Sequence, residues 1–273
     1  YYLLVGDQML QGALPYVDLF DRKPVGLFLI YAAARLLGGE GFVAYKLVAL
    51  GFTVVTAFGV YRVARRWSRP LGAVAAACLL IFWYDFMGGE GGQSPVFYNA
   101  PMMAAAMLLL VAIDGPRGVA WLGCAAMLCV GLALQIKYSV LFEGIYFGLA
   151  LMLVGACRER AWGKALVWAP LWIACALAPT APVLAVYGAM GHGAVLIDTN
   201  FLSVFAQGRN PIDVQLLELL EICAILARLM ILLAVGRWRR LIPQMGGRSL
   251  FLWGGLAAGL YRVRGLWWSN RPR

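Results

Sequence analysis

Eight apolar stretches, at about 42–61, 71–86, 97–113, 118–135, 139–156, 165–188, 213–235 and 249–263, run through this chain with only short polar breaks between them. Each approaches or reaches the ~17–25 residues that carry a helix across a hydrocarbon core, and several lie near the lower limit, so their boundaries are soft. Of the residues, 63% are hydrophobic and 13% charged, with a mean hydropathy of +0.78. A soluble domain would carry roughly a quarter charged residues. Most of the surface must therefore face lipid. A transmembrane barrel would alternate apolar and polar residues along its strands, and these runs do not. The expectation is an all-α integral membrane protein, a multi-span helical bundle.

The net charge of +10 is not spread as a nucleic-acid-binding face would need. It falls in clusters between apolar runs: Arg62, Arg65, Arg66 and Arg69; Arg158, Arg160 and Lys164; Arg237, Arg239 and Arg240. Such clusters mark cytoplasmic loops. With the Asp114–Arg117 loop added, successive cytoplasmic loops are separated by two crossings, the parity a bundle requires. The opposite end then collects residues 1–41, 85–96, the turn around Gln135–Tyr138 and the loop 189–212.

Parity also constrains 24–38, PVGLFLIYAAARLLG. Were it to cross, the Arg62–Arg69 cluster would land on the wrong side. It is short for a span and carries Arg35, which suits an interfacial or re-entrant helix. YYLLVGDQMLQG is amphipathic, with Leu3, Leu4 and Leu10 set against Asp7, Gln8 and Gln11. The expected organisation is an outer loop with juxtamembrane helices over 1–41, a transmembrane core over 42–263 and an atypical basic end over 264–273. Cys78, Cys124, Cys129, Cys157, Cys175 and Cys223 lie in or beside apolar segments with no CxxC pair, and His192 is the only histidine, so no Cys/His metal site is legible. The chain opens on YYLLVGDQML without a methionine or a basic leader, which gives the expectation of a fragment without a signal peptide.

Three places could carry chemistry. In PYVDLFDRKPVG, Asp21, Arg22 and Lys23 precede a helix that Pro24 can begin. An arginine and a lysine beside the headgroups suit a phosphate clamp, and fixed cations there would stabilise charge on a phosphate leaving group. Snorkelling anchors would show the same spacing. The glycine-rich stretch 85–99 holds Asp85, Glu90, Gln93, Ser94, Tyr98 and Asn99, a weak signal because glycines also simply make turns. In QIKYSVLFEG, Lys137 and Glu143 flank a short turn, where ionisable groups are costly unless they face a cavity or one another. Glu218, Glu221 and Arg228 read as a structural network, and the long polar loop 191–211 could cap a cavity.

The stretch GDQMLQGALPYVDLFDRKPVGLFLIYAA resembles the first extracytoplasmic loop of lipid-linked-sugar glycosyltransferases with the GT-C fold, the family 39-like enzymes that include protein O-mannosyltransferases and bacterial aminoarabinose transferases. GALPY at 12–16 and DRKPVG at 21–26 match the family's turn and its D-x-K-P-P motif, with Val25 in place of the second proline. QSPVFYN and LQIKYSVLFEG are similar to later family segments.

The resemblance implies transfer of a hexose such as mannose from a polyprenyl-phosphate donor to a hydroxyl on a lipid, glycan or protein acceptor. The reaction would take place at the outer face, in a bacterial inner membrane. Arg22 and Lys23 would hold the donor phosphate, Asp21, Gln93, Tyr98 and Lys137 would line the cavity, and a groove between helices would take the prenyl chain. The family's catalytic acid lies just before the first amphipathic helix and is expected upstream of Tyr1, with Glu90 and Glu143 as fallbacks. No cofactor is implied with certainty; a divalent metal is compatible but not legible. The rival class, a lipid or small-molecule transporter or flippase, predicts inverted repeats and helices broken at midplane, whereas the polar residues here gather at one face.

Overall fold

The computed structural model describes residues 1–86, 92–115, 118–159 and 162–203, together with 214, 216, 217, 219 and 220. Contacts divide the chain into Tyr1–Ala206 and Gln207–Arg273. The described positions of the second unit are helical, and the rest of the expected spans 213–235 and 249–263, with the end at 264–273, lies outside the described residues.

The first unit is helical, with no strand among the described residues, as the composition demands: α1 (Tyr2–Leu10), α2 (Val25–Arg35), α3 (Gly41–Ala64), α4 (Pro70–Phe86), α5 (Ser94–Asp114), α6 (Val119–Leu134), α7 (Val140–Glu159), α8 (Trp162–Leu177), α9 (Thr180–Ala189), α10 (Gly193–Ile197) and a π-helical turn over Asp198–Leu202. Helices α3 and α5, and Val140–Cys157 within α7, are long and apolar enough to cross a membrane. On α3, Leu47, Leu50, Val54 and Phe58 form an exposed apolar stripe, a liability in water and the expected surface in lipid. Thr53 and Thr56 on the same helix donate to the carbonyls of Ala49 at 2.9 Å and Phe52 at 2.8 Å, so neither hydroxyl is left bare in an apolar setting.

With 11 residues, α2 is about 16 Å long at ~1.5 Å per residue, well under the ~30 Å of a hydrocarbon core. The stretch expected as one span over 165–188 is instead two helices, Leu166–Leu177 and Thr180–Ala189, bent by 54°. Pro179 and Pro182 lack the N–H groups that would continue the ladder across the break, and Pro182 is tolerated because it sits in the first turn of α9.

Helix α1 packs on α2 through its small residues. Val5 and Gly6 face the protein, while Leu4 and Leu10 are exposed, because Gly6 lets the helix lie on the Tyr31–Ala32 backbone. A Cβ at Gly6 would stand 2.8 Å from the Ala32 nitrogen. Asp7, on the polar side of α1, is ion-paired with Arg35 of α2 and clasps the two helices together.

The core is a chain of pairings: α3 packs on α4 and α5, α5 on α6, α6 on α7 and α8, and α7 on α8. Contacts between described helix ends agree with part of the grouping derived from parity. At one end, Arg66 Nη1 donates to Asp114 Oδ2 at 2.9 Å, joining the loops that follow α3 and α5. At the other, Tyr31 Oη donates to the Gly92 carbonyl at 2.5 Å, and Tyr187 Oη donates to the Pro15 carbonyl at 2.9 Å. The first loop, the start of α5 and the end of α9 therefore meet.

Candidate functional site

The first loop is built by its own acids. Asp18 Oδ2 accepts from the Leu14 amide at 2.7 Å, and Asp21 Oδ1 accepts from the Lys23 amide at 2.8 Å, the local bonds by which aspartate stabilises turns. Tyr16 sits inside the Leu14–Asp18 turn at φ 69°, the one left-handed non-glycine among the described residues. Such a conformation persists only where surroundings over-determine it, at a cost on the order of 1–3 kcal/mol. Here the surroundings are a satellite core of Val5, Tyr16, Val25, Phe28, Tyr187 and Leu196, drawn from α1, the loop, α2, α9 and α10. From that position Tyr16 Oη donates to the Lys23 carbonyl at 2.6 Å.

Two cations emerge from this turn. Arg22 is half-buried and makes no ion pair or hydrogen bond with other described residues. Lys23 is half-buried too; burial pushes its ammonium below the ordinary lysine range, and Asp21 opposes that shift.

Immediately after Lys23 the chain is pressed against a second turn. A Cβ at Gly26 would lie 2.5 Å from the Gln135 carbonyl oxygen, so the start of α2 abuts the α6–α7 connection. Gln135 Nε2 donates to Thr180 Oγ1 at 2.7 Å, across to the break between α8 and α9. Tyr138 Oη donates to Asn200 Oδ1 at 2.7 Å, bringing in the π-helical turn. Asn200 is 1% exposed and its Nδ2 donates to the Leu196 carbonyl at 3.0 Å.

Of the expected site residues, the structure gathers Asp21, Arg22 and Lys23 beside the turn that holds Lys137. Lys137 and Glu143 are both buried, at 7% and 6% exposure. Glu143 lies on the stripe of α7 that carries Val140, Phe147 and Leu151 into the core. Gln93 precedes α5, and Tyr98 is buried on its second turn; they join this end through the Tyr31–Gly92 bond. Glu90, Glu218, Glu221 and Arg228 lie outside the described residues.

Tyr16, Tyr138, Tyr187, Thr180 and Asn200 were missed by the sequence reading. Tyr16 alone had a visible signal, its place in the GALPY turn. Next to the site, an apolar cleft of about 260 Å³ runs between α6, α7 and α8, lined by Leu134, Leu141, Gly144, Gly148 and Trp172 among others. Leu134 and Leu141 flank the connection that Gly26 abuts, so the cleft opens beside the polar end.

Residues 21–186, more than half of the chain, match the family model described as dolichyl-phosphate-mannose-protein mannosyltransferase. Comparisons with curated proteins and with solved structures return no match. The match begins at Asp21, the first residue of the cationic turn, and ends at Val186, next to the tyrosine that clasps Pro15. The chain belongs to this family, and with it to the GT-C-type membrane glycosyltransferases that use polyprenyl-phosphate-linked sugar donors.

Proposed function

We propose that this protein transfers a hexosyl residue of the mannose type from a polyprenyl-phosphate donor to a hydroxyl of a lipid, glycan or protein acceptor at the extracytoplasmic face of a bacterial inner membrane. The observation that carries the reading is the Arg22–Lys23 turn: two half-buried cations, neither ion-paired with a described residue, at the polar end of an otherwise apolar bundle. A headgroup anchor would snorkel into water, whereas Lys23 is desolvated and held by its own backbone. The positive-inside rule supports this sidedness, with the Arg62–Arg69 cluster following α3 at the opposite end.

In this reading the donor phosphate lies against Arg22 and Lys23, and the prenyl chain leaves along the cleft between α6, α7 and α8. The acceptor oxygen attacks the anomeric carbon as the bond from that carbon to the phosphate oxygen breaks. Polyprenyl phosphate leaves with the electron pair and the cations stabilise its growing charge. The acceptor proton passes to a carboxylate. The resemblance puts that acid just before α1, and within the described residues Glu143 is the buried carboxylate at this end.

The full-length protein in sealed proteoliposomes, supplied with radiolabelled polyprenyl-phosphate mannose and candidate acceptors, tests the proposal. Labelled acceptor together with free polyprenyl phosphate supports it. Donor that reaches the opposite leaflet intact, with no sugar transferred, would establish the flippase alternative instead.

A further inference from the structure

Three local departures from ordinary backbone and burial rules lie along one run of contacts that ends at the Lys23 carbonyl oxygen. Tyr16, which donates to it at 2.6 Å, is the left-handed residue of the first loop. Asn200 accepts from Tyr138 at 2.7 Å and donates to the carbonyl of Leu196, which lies in the same buried cluster as Tyr16. Asn200 is itself a nearly fully buried polar side chain on a π-helical turn, a geometry that recurs at functional sites. Each feature carries a cost by itself: strain for Tyr16, desolvation for Asn200, a widened helix for Asp198–Leu202. A fold that needed only to close its loops could use a glycine in the turn and a leucine in the core.

We infer that Tyr16 and Asn200 are positioning residues for the donor-phosphate cation, acting on the ammonium of Lys23 through its backbone. This rests on the phosphate-clamp reading of Lys23. The lysine stem has four rotatable bonds, so the point from which it starts decides where the charge can dwell. The Tyr16 bond fixes that point, Asn200 holds Leu196 in the cluster that buries Tyr16, and Tyr138 ties Asn200 to the α6–α7 connection that Gly26 abuts. Residues 193–203 therefore do more than cover the site: they set the geometry of a loop more than 170 residues earlier in the chain.

Tyr16→Phe is the informative variant. It keeps the ring that packs on Phe28 and Tyr187, at centroid distances of 6.2 and 5.7 Å, and removes only the hydroxyl. Binding of polyprenyl phosphate to the full-length protein in nanodiscs, measured for wild type, Tyr16→Phe, Lys23→Ala and the double variant, separates positioning from mere structure. Tyr16→Phe should weaken binding about fivefold to tenfold, the worth of one hydrogen bond, and should add nothing in the Lys23→Ala background. Asn200→Ala should behave in the same way, with thermal stability measured alongside.

Equal losses from Tyr16→Phe with and without Lys23 would overturn the inference and leave the clamp standing. So would unchanged binding in Tyr16→Phe while Lys23→Ala loses it. Wild-type binding by Lys23→Ala itself would remove the clamp, and the positioning role with it.

Discussion

The two ends of the bundle carry the same residue types to opposite effect. At the Arg66–Asp114 end the ion pair is about one-third exposed, at 30% and 36%, and Arg65 Nη1 reaches only the Ser68 carbonyl of its own turn. Pairs of that kind contribute about 0–1 kcal/mol. At the other end Lys23 is desolvated beneath the Tyr16 strut, Arg22 pairs with no described residue, and Lys137 and Glu143 are buried. On the proposed reading, basic residues in clusters between spans set topology, whereas those built into a strained, hydrogen-bonded turn serve the chemistry. Neither charge count nor hydropathy separates the two; pairing and burial do.

The contrast is sharpest in a matched substitution. Lys23→Ala should reduce donor affinity and turnover roughly a hundredfold, the scale on which a charge-stabilising donor acts, while the protein stays folded and inserted. Arg66→Ala should change either by less than about twofold, since it removes only a screened surface pair. Steady-state kinetics on both variants check this, and comparable losses would erase the distinction between the ends.

A second matched pair concerns packing. Gly26→Ala drives a methyl into the Gln135 carbonyl at 2.5 Å, so α2 must move away from the α6–α7 connection. The expected loss is about 1–3 kcal/mol, with weaker donor binding alongside. Gly51→Ala on α3 meets no atom within 4 Å and should be neutral or stabilising by up to ~1 kcal/mol, because alanine is the better helix former. Unfolding in detergent, followed by circular dichroism, reads both.

The pH dependence of binding separates the ends more finely. Burial lowers the Lys23 pKa, so its charged form is disfavoured in the folded protein. Between that lowered pKa and the ordinary lysine value, the unfolded chain binds more protons than the folded one. Stability from this group therefore rises with pH across that window, while phosphate binding falls as the ammonium is lost. Donor affinity should show an alkaline limb that sets in below the ordinary lysine range. Lys23→Arg, which stays charged, should lack it. The smallest effect belongs to Asp114→Asn, under about 1 kcal/mol in the same unfolding experiment and shrinking with added salt.

Much of this arrangement was legible in the sequence, for definite reasons. Helices α3 to α7 fall close to the apolar runs because hydropathy over a span is a local property summed over many residues. The grouping of loops at two ends followed from charge and parity, and the contacts Arg66–Asp114, Tyr31–Gly92 and Tyr187–Pro15 agree with it for the loops they join. The DRKPVG turn was singled out by residue type. The break at Pro179 does not show in hydropathy, which averages across two prolines without registering the missing donors. Beyond Tyr16's place in the GALPY turn, the network of Tyr16, Tyr138 and Asn200 had no comparable signal. Its members are 62 and 184 residues apart, and a buried asparagine inside LIDTNFL looks like any polar loop residue until the fold closes over it.

The most direct test asks which end of the bundle meets the donor phosphate. Polyprenyl phosphate carrying a photoreactive diazirine near its phosphate, equilibrated with the full-length protein in lipid vesicles and irradiated, can be mapped by peptide mass spectrometry. The account predicts adducts within 15–26 and 135–143, reduced in Lys23→Ala. Adducts concentrated in 62–69 and around Asp114, with 15–26 unlabelled, would contradict it.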